Sequence, residues 1–301
     1  MKYYGVCPAS CGEFVQGILD KEEYLSSYAI DMYSTVALEE KLNDINVGPY
    51  KSRKAIEKVF ERFKLPIKES KNISLNIYSE IPVGKGMASS TADIGATIVA
   101  TLNLINKELS SEEISKLAST IEPTDSTYIE RNSIFNPLNG EVIKYLGNIK
   151  NSRVVILEPN TTLNTMKIRN TPNYKEIKIK NKEIIKEAFY FLEEGIRTND
   201  LYSIGKACTL SSLANESIDK KVGLAEVIDI AQNYGAYGVN VAHSGTVVGI
   251  IIDKYMNDVK LVEILKKNRI DSAYKKIYTL DIIDGGIRGE LKCNTSKILW
   301  W

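Results

Sequence analysis

A glycine-containing segment at residues 82–91 has the residue types of an anion-binding loop. Its sequence, Pro-Val-Gly-Lys-Gly-Met-Ala-Ser-Ser-Thr, follows an alternating apolar run at 73–77 that predicts a strand, and it precedes a run of small and apolar residues at 94–102 that predicts a helix. The first amide groups of a helix are unpaired, and the helix dipole is positive there. We therefore predict that this segment binds the phosphate groups of a ligand.

Two common phosphate-binding motifs do not describe this segment. The Walker A motif requires four residues between its glycines, whereas only Lys85 separates Gly84 from Gly86. The dinucleotide-binding fingerprint requires a third glycine where this chain has Ser89. If the segment is considered alone, an ordinary glycine turn that caps a helix remains the alternative.

A second set of residues could hold a metal cation beside those phosphates. Phosphoryl transfer commonly uses Mg²⁺ on hard oxygen ligands, so the Ser90 hydroxyl and the Glu122 carboxylate are candidates. We expect a helix to end at Glu122, because Pro123 disfavours helical geometry in the residue before it. A carboxylate at that end of a helix favours a neighbouring cation. The alternative for Glu122 and Asp125 is a solvated helix end followed by an Asx turn.

Polar side chains near the N-terminus could bind a small substrate. Glu13 and Gln16 lie on a glycine-punctuated segment at residues 7–17, and they could hold the ammonium and hydroxyl groups of an amino acid. The alternative is an edge strand with a bulge at Gly12. For His243, the only histidine of the chain, a hydrogen bond to phosphate or substrate is favoured over a role as catalytic base.

The charge balance excludes several classes of function. The chain has 39 Lys and Arg residues against 38 Asp and Glu residues, a formal net charge of +1. Nothing in this balance favours nucleic acid as a partner. No apolar run reaches the length of a bilayer span, and the first residues lack the apolar core of a signal peptide. We expect a cytoplasmic protein with no membrane partner.

The four cysteines, Cys7, Cys11, Cys208 and Cys293, are scattered and form no Cys-x-x-Cys pair. This distribution is typical of a reduced protein in the cytoplasm. A metal site at Cys7 and Cys11 is disfavoured, because the chain has a single histidine and no second cysteine pair.

The elements that must position these residues are strands and helices in mixed order. Residues 1–40 predict a strand hairpin, and Ser110 with Glu113 forms a capping-box pattern that predicts a helix start. A chain of 301 residues can bury a large core and form two lobes. The mixed order predicts an α+β fold, which we divide into domains at residues 1–150 and 151–301.

The segment at 82–91 resembles the nucleotide loop of the GHMP kinases, the superfamily of galactokinase, homoserine kinase, mevalonate kinase and phosphomevalonate kinase. The resemblance rests on the string Pro-x-Gly-x-Gly-Met-x-Ser-Ser-Thr. It implies a two-lobe fold, with a ribosomal-S5-like N-terminal lobe, a ferredoxin-like C-terminal lobe and ATP bound between them. The residues that it assigns to ATP are Pro82, Val83, Gly84, Lys85, Gly86, Met87, Ala88, Ser89, Ser90 and Thr91. The Lys85 ammonium could contact a phosphate or extend into solvent, and the sequence does not decide between these two positions.

The segment Pro-Ala-Ser-Cys-Gly-Glu-Phe-Val-Gln-Gly at residues 8–17 is similar to the L-threonine kinase branch of this superfamily, which serves cobalamin biosynthesis. This resemblance implies that ATP phosphorylates the hydroxyl of L-threonine to give O-phospho-L-threonine. The segment lines the acceptor pocket in the superfamily, and the threonine kinase branch has a turn similar to residues 242–245. The residues thereby implied for the substrate are Ser10, Glu13, Gln16, His243 and Ser244.

The resemblance also implies a metal site and a base. In GHMP kinases a helix with Ala-x-x-x-Glu supplies a metal ligand, and Ala118 to Glu122 fits this pattern. Mg²⁺ is therefore implied at Ser90 and Glu122. In the mevalonate kinase branch, a Pro-x-x-Asp-like turn carries the carboxylate that accepts the proton of the acceptor hydroxyl. Residues 123–125 are similar, although with a shorter spacing between the two acids, which implies that Asp125 is the catalytic base.

Other functions stay open beside this one. A homoserine kinase is disfavoured because that branch typically lacks the aspartate that Asp125 provides. A relative that binds nucleotide without turnover is disfavoured by the presence of Ser90, Glu122 and Asp125. A nucleic-acid-binding module, which an S5-like lobe would suggest, is disfavoured by the neutral charge. We interpret the terminal pair Trp300-Trp301 as docking on the core or on the second subunit of a homodimer.

Overall fold

The computed structural model describes residues 1–41, 48–162 and 173–288. It opens with a long antiparallel hairpin of β1 (Lys2–Leu19) and β2 (Glu22–Glu40). The two residues between these strands, Asp20 and Lys21, have φ angles of 46° and 79°. Positive φ at both central residues is the geometry that matches the twist of a hairpin. The hairpin predicted over residues 1–40 is confirmed.

Seven shorter strands and eight α-helices follow within the described ranges. The strands are β3 (Ile73–Ser79), β4 (Asn132–Asn136), β5 (Glu141–Gly147), β6 (Ser152–Glu158), β7 (Gly238–Val241), β8 (Val248–Asp253) and β9 (Lys276–Ile283). The helices are α1 (Tyr50–Arg62), α2 (Ser89–Leu104), α3 (Ser111–Ser119), α4 (Tyr174–Lys180), α5 (Lys182–Thr198), α6 (Leu201–Asn215), α7 (Leu224–Tyr234) and α8 (Asp258–Lys267).

The strands form one continuous antiparallel sheet in the order β5-β4-β2-β9-β6-β8-β7, and β1 and β3 also pair with β2. Because successive side chains of a strand point to opposite faces, β6 supplies two cores. Val154 and Ile156 face a large core shared with the helices α1, α2, α5 and α6, while Val155 and Leu157 face a smaller core under α7 and α8. The α+β class is confirmed, and the boundary near residue 150 stays a prediction.

The start of α3 follows the predicted chemistry, but its end does not. Ser110 accepts a hydrogen bond from the Glu113 amide, and the Glu113 side chain accepts one from the Ser110 amide, which completes the capping box. The helix then ends at Ser119, three residues before Glu122, where the prediction had placed its end. Glu122 therefore lies in the turn that follows, with its amide 3.3 Å from the Ala118 carbonyl oxygen.

A bulge in β1 brings the N-terminal polar residues to the interior. The pairing of β1 with β2 shifts register on both sides of Glu13, and Gly12 has a φ of 65°. A Cβ atom on Gly12 would lie 2.7 Å from the backbone nitrogen of Ala242, so only glycine fits there. The bulge that the sequence suggested at Gly12 is thus present, and it turns Glu13 into a buried position.

The described cysteines, Cys7, Cys11 and Cys208, are buried free thiols. Burial raises their pKa values, to about 12 for Cys11, so all three are protonated at neutral pH. Cys293 and the pair Trp300-Trp301 lie outside the described residues. In the part of the chain that the structure describes, none of the helices combines the length and the apolar character that crossing a membrane requires.

Candidate functional site

The predicted phosphate loop is held on both sides by backbone hydrogen bonds. On one side, the amides of Ser10 and Gly12 in β1 donate to the carbonyl oxygens of Met87 and Gly86, at 3.2 and 3.1 Å. On the other side, the Thr246 amide donates to the Lys85 carbonyl oxygen at 2.8 Å. The loop is therefore fixed between β1 and the turn at 242–247 before any ligand binds.

The conformation of this loop leaves its amide groups unobstructed. Gly84, Gly86 and Ala88 have φ angles of 73°, 80° and 58°, and α2 begins directly afterwards at Ser89. A Cβ atom on Gly86 would lie 2.3 Å from the Ala242 Cβ atom, so the loop requires glycine at this position. No acidic residue lies in the first turn of α2. The helix start thus keeps the positive character that attracts phosphate.

A cleft of about 640 Å³ opens in front of this loop. Most residues that the sequence predicted for the site line it: Glu13, Gln16, Pro82, Val83, Gly84, Gly86, Met87, Ala88, Ser89, Ser90, Thr91, Glu122, Asp125 and Ser244. Three predicted residues, Ser10, Lys85 and His243, do not line it. Ser10 contributes its backbone amide to the support of the loop, as described above, and its side chain is buried.

Lys85 follows neither of the two alternatives that the sequence left open. The residue is only 6% exposed, and its ammonium donates to the carbonyl oxygens of Pro159 and, at 2.8 Å, Thr161. The Glu158 carboxylate lies 3.9 Å away. The expectation of an ammonium that contacts phosphate or waves in solvent is therefore wrong. The reason is burial: an unpaired lysine there would be costly, and the chain after β6 supplies the acceptors.

Ser90 and Glu122 meet at one edge of the cleft, together with a residue that the sequence did not reveal. The Ser90 hydroxyl donates to one carboxylate oxygen of Glu122, and the Lys51 ammonium donates to the other. Lys51 also donates to the Ser90 hydroxyl oxygen at 3.0 Å. Nothing near Lys51 in the sequence marks it, since it lies 39 residues before Ser90 and reaches it only because α1 packs beside α2.

This arrangement fits a magnesium ion on its donor chemistry. The Ser90 and Glu122 oxygens are hard ligands that already converge on one cation, the Lys51 ammonium. Within the described ranges, no cluster of three or more His, Cys, Asp or Glu side chains is suited to a metal ion. A site with two protein ligands matches the habit of Mg²⁺, which usually keeps several waters and takes further oxygens from bound phosphates.

Asp125 lies deeper in the cleft, at the N-terminal end of a short 3₁₀ turn (Ser126–Tyr128). Its two carboxylate oxygens accept hydrogen bonds from the hydroxyls of Ser27, at 3.2 Å, and Thr91, at 3.4 Å. Burial and then the negative charge of Glu13 raise the pKa of Asp125 to about 7. A carboxyl group with this pKa can both accept and release a proton near neutral pH, as a general base must.

Glu13 also lines the cleft, is 6% exposed, and is held by His243. Its Oε2 atom accepts hydrogen bonds from the His243 backbone amide at 3.1 Å and from the ring Nδ1 at 3.0 Å. The expected hydrogen bond from His243 to phosphate or substrate is therefore wrong, because the imidazole is buried behind Glu13 and turned toward it. His243 touches a residue of the cleft rather than the cleft itself.

Gln16 is placed beside Glu13 by a second buried group of polar residues. Its Nε2 atom donates to the Glu23 carboxylate at 3.0 Å, and Lys178 donates to the same carboxylate oxygen. Among the residues that the structure describes, the buried Gln16 Oε1 atom has no hydrogen-bond partner. A buried acceptor of this kind is costly unless water or a ligand donates to it.

The cleft therefore has two ends with different chemistry. The phosphate end consists of the loop at 82–91 and the group formed by Ser90, Glu122 and Lys51. Glu13 and Gln16 define what we call the acceptor end, and Asp125 lines the same cleft. This arrangement can bind a polyphosphate, hold a small cationic molecule beside it and take a proton from that molecule.

Comparisons with known proteins agree with this geometry. Residues 51–129 match the family model described as the GHMP kinases N terminal domain, and residues 192–271 match the one described as GHMP kinases C terminal. An L-threonine kinase of Salmonella typhimurium is 34% identical over 283 residues, which cover 94% of each chain. An L-threonine kinase of Citrobacter freundii is 29% identical over 282 residues, 93% of this chain and 97% of that protein.

Solved structures share the fold at lower identity. A homoserine kinase from Cytophaga hutchinsonii aligns with a TM-score of 0.70 and 17% identity, covering 95% of this chain and 96% of that one. A mevalonate kinase aligns with a TM-score of 0.67 and 21% identity, covering 94% and 99%. The N-terminal family model spans the loop and the two acids, the C-terminal model matches the second half, and a relative at 34% identity covers 94% of the chain, so this chain belongs to the GHMP kinase family.

Proposed function

We propose that this protein is a small-molecule kinase that transfers the γ-phosphoryl group of ATP to the side-chain hydroxyl of L-threonine. The observation that carries the proposal is the single cleft in which a phosphate loop, the Asp125 carboxyl and the Glu13 carboxylate meet. The two curated relatives that match more than nine-tenths of the chain, both L-threonine kinases, support this choice of acceptor.

In this proposal the backbone amides of residues 84–90 bind the phosphates of ATP. The threonine hydroxyl attacks the γ-phosphorus, a new oxygen–phosphorus bond forms, and the bond between the γ-phosphorus and the bridging oxygen of ADP breaks. Asp125 accepts the proton of the hydroxyl as the transfer proceeds. Because the transition state of phosphoryl transfer is loose, correct positioning contributes more than strong base catalysis.

Ser90 and Glu122 are the proposed ligands of Mg²⁺, which neutralises charge on the phosphates when it is bound. The Lys51 ammonium, which holds both ligands in this structure, is about half exposed and stands at the same edge of the cleft. We assign Lys51 to the phosphates of ATP. When this flexible ammonium is displaced from Ser90 and Glu122 by Mg²⁺, its nearest anions are the bound phosphate groups.

At the other end of the cleft, Glu13 is the proposed partner of the threonine ammonium. His243 occupies the Oε2 atom of Glu13, while no donor to Oε1 is found among the described residues. Gln16 lines the same cleft, and its Oε1 atom, which no donor of the described ranges reaches, can accept a second hydrogen bond from the substrate. An ammonium group, with its three donors, suits two such acceptors.

The test is a panel of acceptors with ATP: threonine, serine, homoserine and mevalonate, followed by coupled ADP release and by phosphorus NMR of the product. We expect kcat/KM for threonine to exceed that for serine by about tenfold, the worth of one methyl group in a fitted pocket, and to exceed the others by more. If kcat/KM for homoserine is higher than for threonine, homoserine is the acceptor instead of threonine. ATP binding without ADP release from any acceptor would favour a non-catalytic relative.

Three further expectations from the sequence stay predictions: a role in cobalamin biosynthesis, a cytoplasmic location and a homodimer. The first can be checked by growth of a deletion strain, with and without added O-phospho-L-threonine, under conditions that require cobalamin synthesis. The third can be checked by sedimentation of the full chain.

A further inference from the structure

A chain of four hydrogen bonds leaves strand β1 and returns to it. The backbone N–H of Gln16 donates to the Ser211 hydroxyl oxygen at 3.1 Å. That oxygen lies 3.1 Å from His243 Nε2. His243 Nδ1 and the His243 amide then both contact Glu13 Oε2, at 3.0 and 3.1 Å. Ser211 belongs to α6, and His243 belongs to the turn after β7, so three separate elements hold one carboxylate.

The direction of one proton follows from its partners. A carboxylate only accepts, so the proton of the Nδ1–Glu13 contact belongs to Nδ1. The Ser211 oxygen accepts from the Gln16 backbone amide, and its hydroxyl pairs with His243 Nε2 as donor or as acceptor. The Nδ1 hydrogen bond therefore joins the ring to Glu13 whichever way the Ser211 contact runs.

The consequence for Glu13 is a fixed orientation. Both donors contact the same oxygen, Oε2, and the side chains in the chain are almost fully buried. Glu13 lines the cleft, so the remaining oxygen is the one available to a ligand. Without the ring, the carboxylate would lose a hydrogen bond that is about twice as strong as one between neutral groups, and it could rotate.

Resting on the proposed function, we propose that His243, supported by Ser211, is a positioning residue that fixes Glu13 for recognition of the amino group of the acceptor. His243 contacts neither ATP nor acceptor in this proposal. It acts by presenting Glu13 Oε1 to the ammonium, so it determines specificity for acceptors that carry an amine.

The histidine offers a matched pair of variants. In His243→Asn, the side-chain amide nitrogen can occupy the place of Nδ1 and donate to Glu13. In His243→Gln, the amide group reaches the place of Nε2 and keeps the contact with Ser211, but it gives no donor at the Nδ1 position. The two variants are similar in polarity and differ in the atom that the proposal requires. Ser211→Ala removes the support and leaves the ring in place.

The assay compares L-threonine with (R)-3-hydroxybutyrate, which has the same hydroxyl and methyl groups but no amine. We expect His243→Gln to raise KM for threonine about 10- to 100-fold, with kcat and KM for ATP changed less than about threefold. The preference for threonine over the analogue should fall by the same factor. His243→Asn should stay within about threefold of the original protein, and Ser211→Ala should lie between the two.

Equal kinetics of the Asn and Gln variants, or a loss that falls on KM for ATP, would overturn the positioning role. If His243→Gln does not fold, as judged by thermal unfolding, the same comparison is made with Ser211→Ala, where an unchanged preference overturns it. Failure of the proposed function is visible separately, in the unsubstituted protein. If the unsubstituted protein prefers another acceptor that carries an amine, the variants are compared on that acceptor and its deaminated analogue. If it prefers an acceptor without an amine, the positioning proposal fails as well.

Discussion

The phosphate end of the cleft depends on backbone geometry, whereas the acceptor end depends on side chains from separate elements. At the phosphate end, three residues with positive φ and the start of α2 shape the loop, and its backbone is fixed to β1 and to the turn at 242–247. At the acceptor end, Glu13 is oriented by His243 and Ser211 from distant parts of the chain. In the proposed function, the phosphate-binding residues are therefore ten neighbours in the sequence. The residues that select the acceptor come together only when distant segments of the chain pack.

The largest effect should come from Asp125, which belongs to neither end and serves both. Asp125→Ala should lower kcat by about 10²- to 10⁴-fold, the usual contribution of a general base, and leave the affinity for ATP within about twofold. The measurements are steady-state turnover and calorimetric titration with a nonhydrolysable ATP analogue. Asp93→Asn is the matched control, since Asp93 is a half-buried carboxyl on α2 that accepts from Ser34 and does not line the cleft. Near-normal turnover of Asp125→Ala would contradict the assignment of the base.

A smaller effect is expected from Lys51, and it should be confined to the phosphate end. Lys51→Met removes one charge-assisted hydrogen bond to phosphate, which should raise KM for ATP about tenfold and leave KM for the acceptor unchanged. Lys54→Met is the control, because Lys54 lies one turn along the same helix, pairs with Glu57 and does not line the cleft. If Lys51→Met instead changes KM for the acceptor, the assignment of Lys51 to the phosphate end alone is contradicted.

The smallest effect is a shift in pH dependence that links the two ends. The base must be ionised, so kcat/KM should rise with pH as Asp125 titrates at about 7. Glu13→Gln removes a negative charge that raises the pKa of Asp125, and the rise should therefore occur at lower pH. At saturating threonine, the positive charge of the bound ammonium should also lower the pKa of Asp125. In the unsubstituted protein, kcat should therefore rise at a lower pH than kcat/KM does.

The check is a pH–rate profile of both parameters for the two proteins. Glu22→Gln serves as the control, because Glu22 is an exposed acid at the end of the hairpin whose partners are Tyr24 and Asn136. Identical profiles for Glu13→Gln and Glu22→Gln would show that Glu13 has no influence on the base.

Features that depend on neighbours in the sequence could be predicted. The hairpin and the capping box at Ser110 both follow from local backbone chemistry. The end of α3 was placed too late, because the helix stops at Ser119 although Pro123 is the first residue that forbids it. Local signals thus limit where an element can extend, while packing decides where it ends.

Features that depend on distant contacts could not be predicted. Lys51 and Ser211 carry no signal of their own, and each reaches the site only through the packing of α1 or α6. For Lys85 and His243 the sequence offered contacts with ligands, whereas the structure gives both side chains buried protein partners. A charged or polar side chain beside a phosphate loop is as readily used to hold neighbouring backbone or side chains as to touch the ligand.

The bulged strand β1 has a consequence for changing the acceptor. Its Ser10 and Gly12 amides anchor the loop at 82–91, and its Glu13 and Gln16 residues line the cleft. Under the proposed function, the distance from the transferred phosphorus to the amine pocket is therefore set along one strand, at about 3.3 Å per residue. Redesign for a longer alcohol must lengthen that strand. A one-residue insertion would reverse the inward and outward side chains beyond it, so the natural increment of substrate length in this scaffold is two residues.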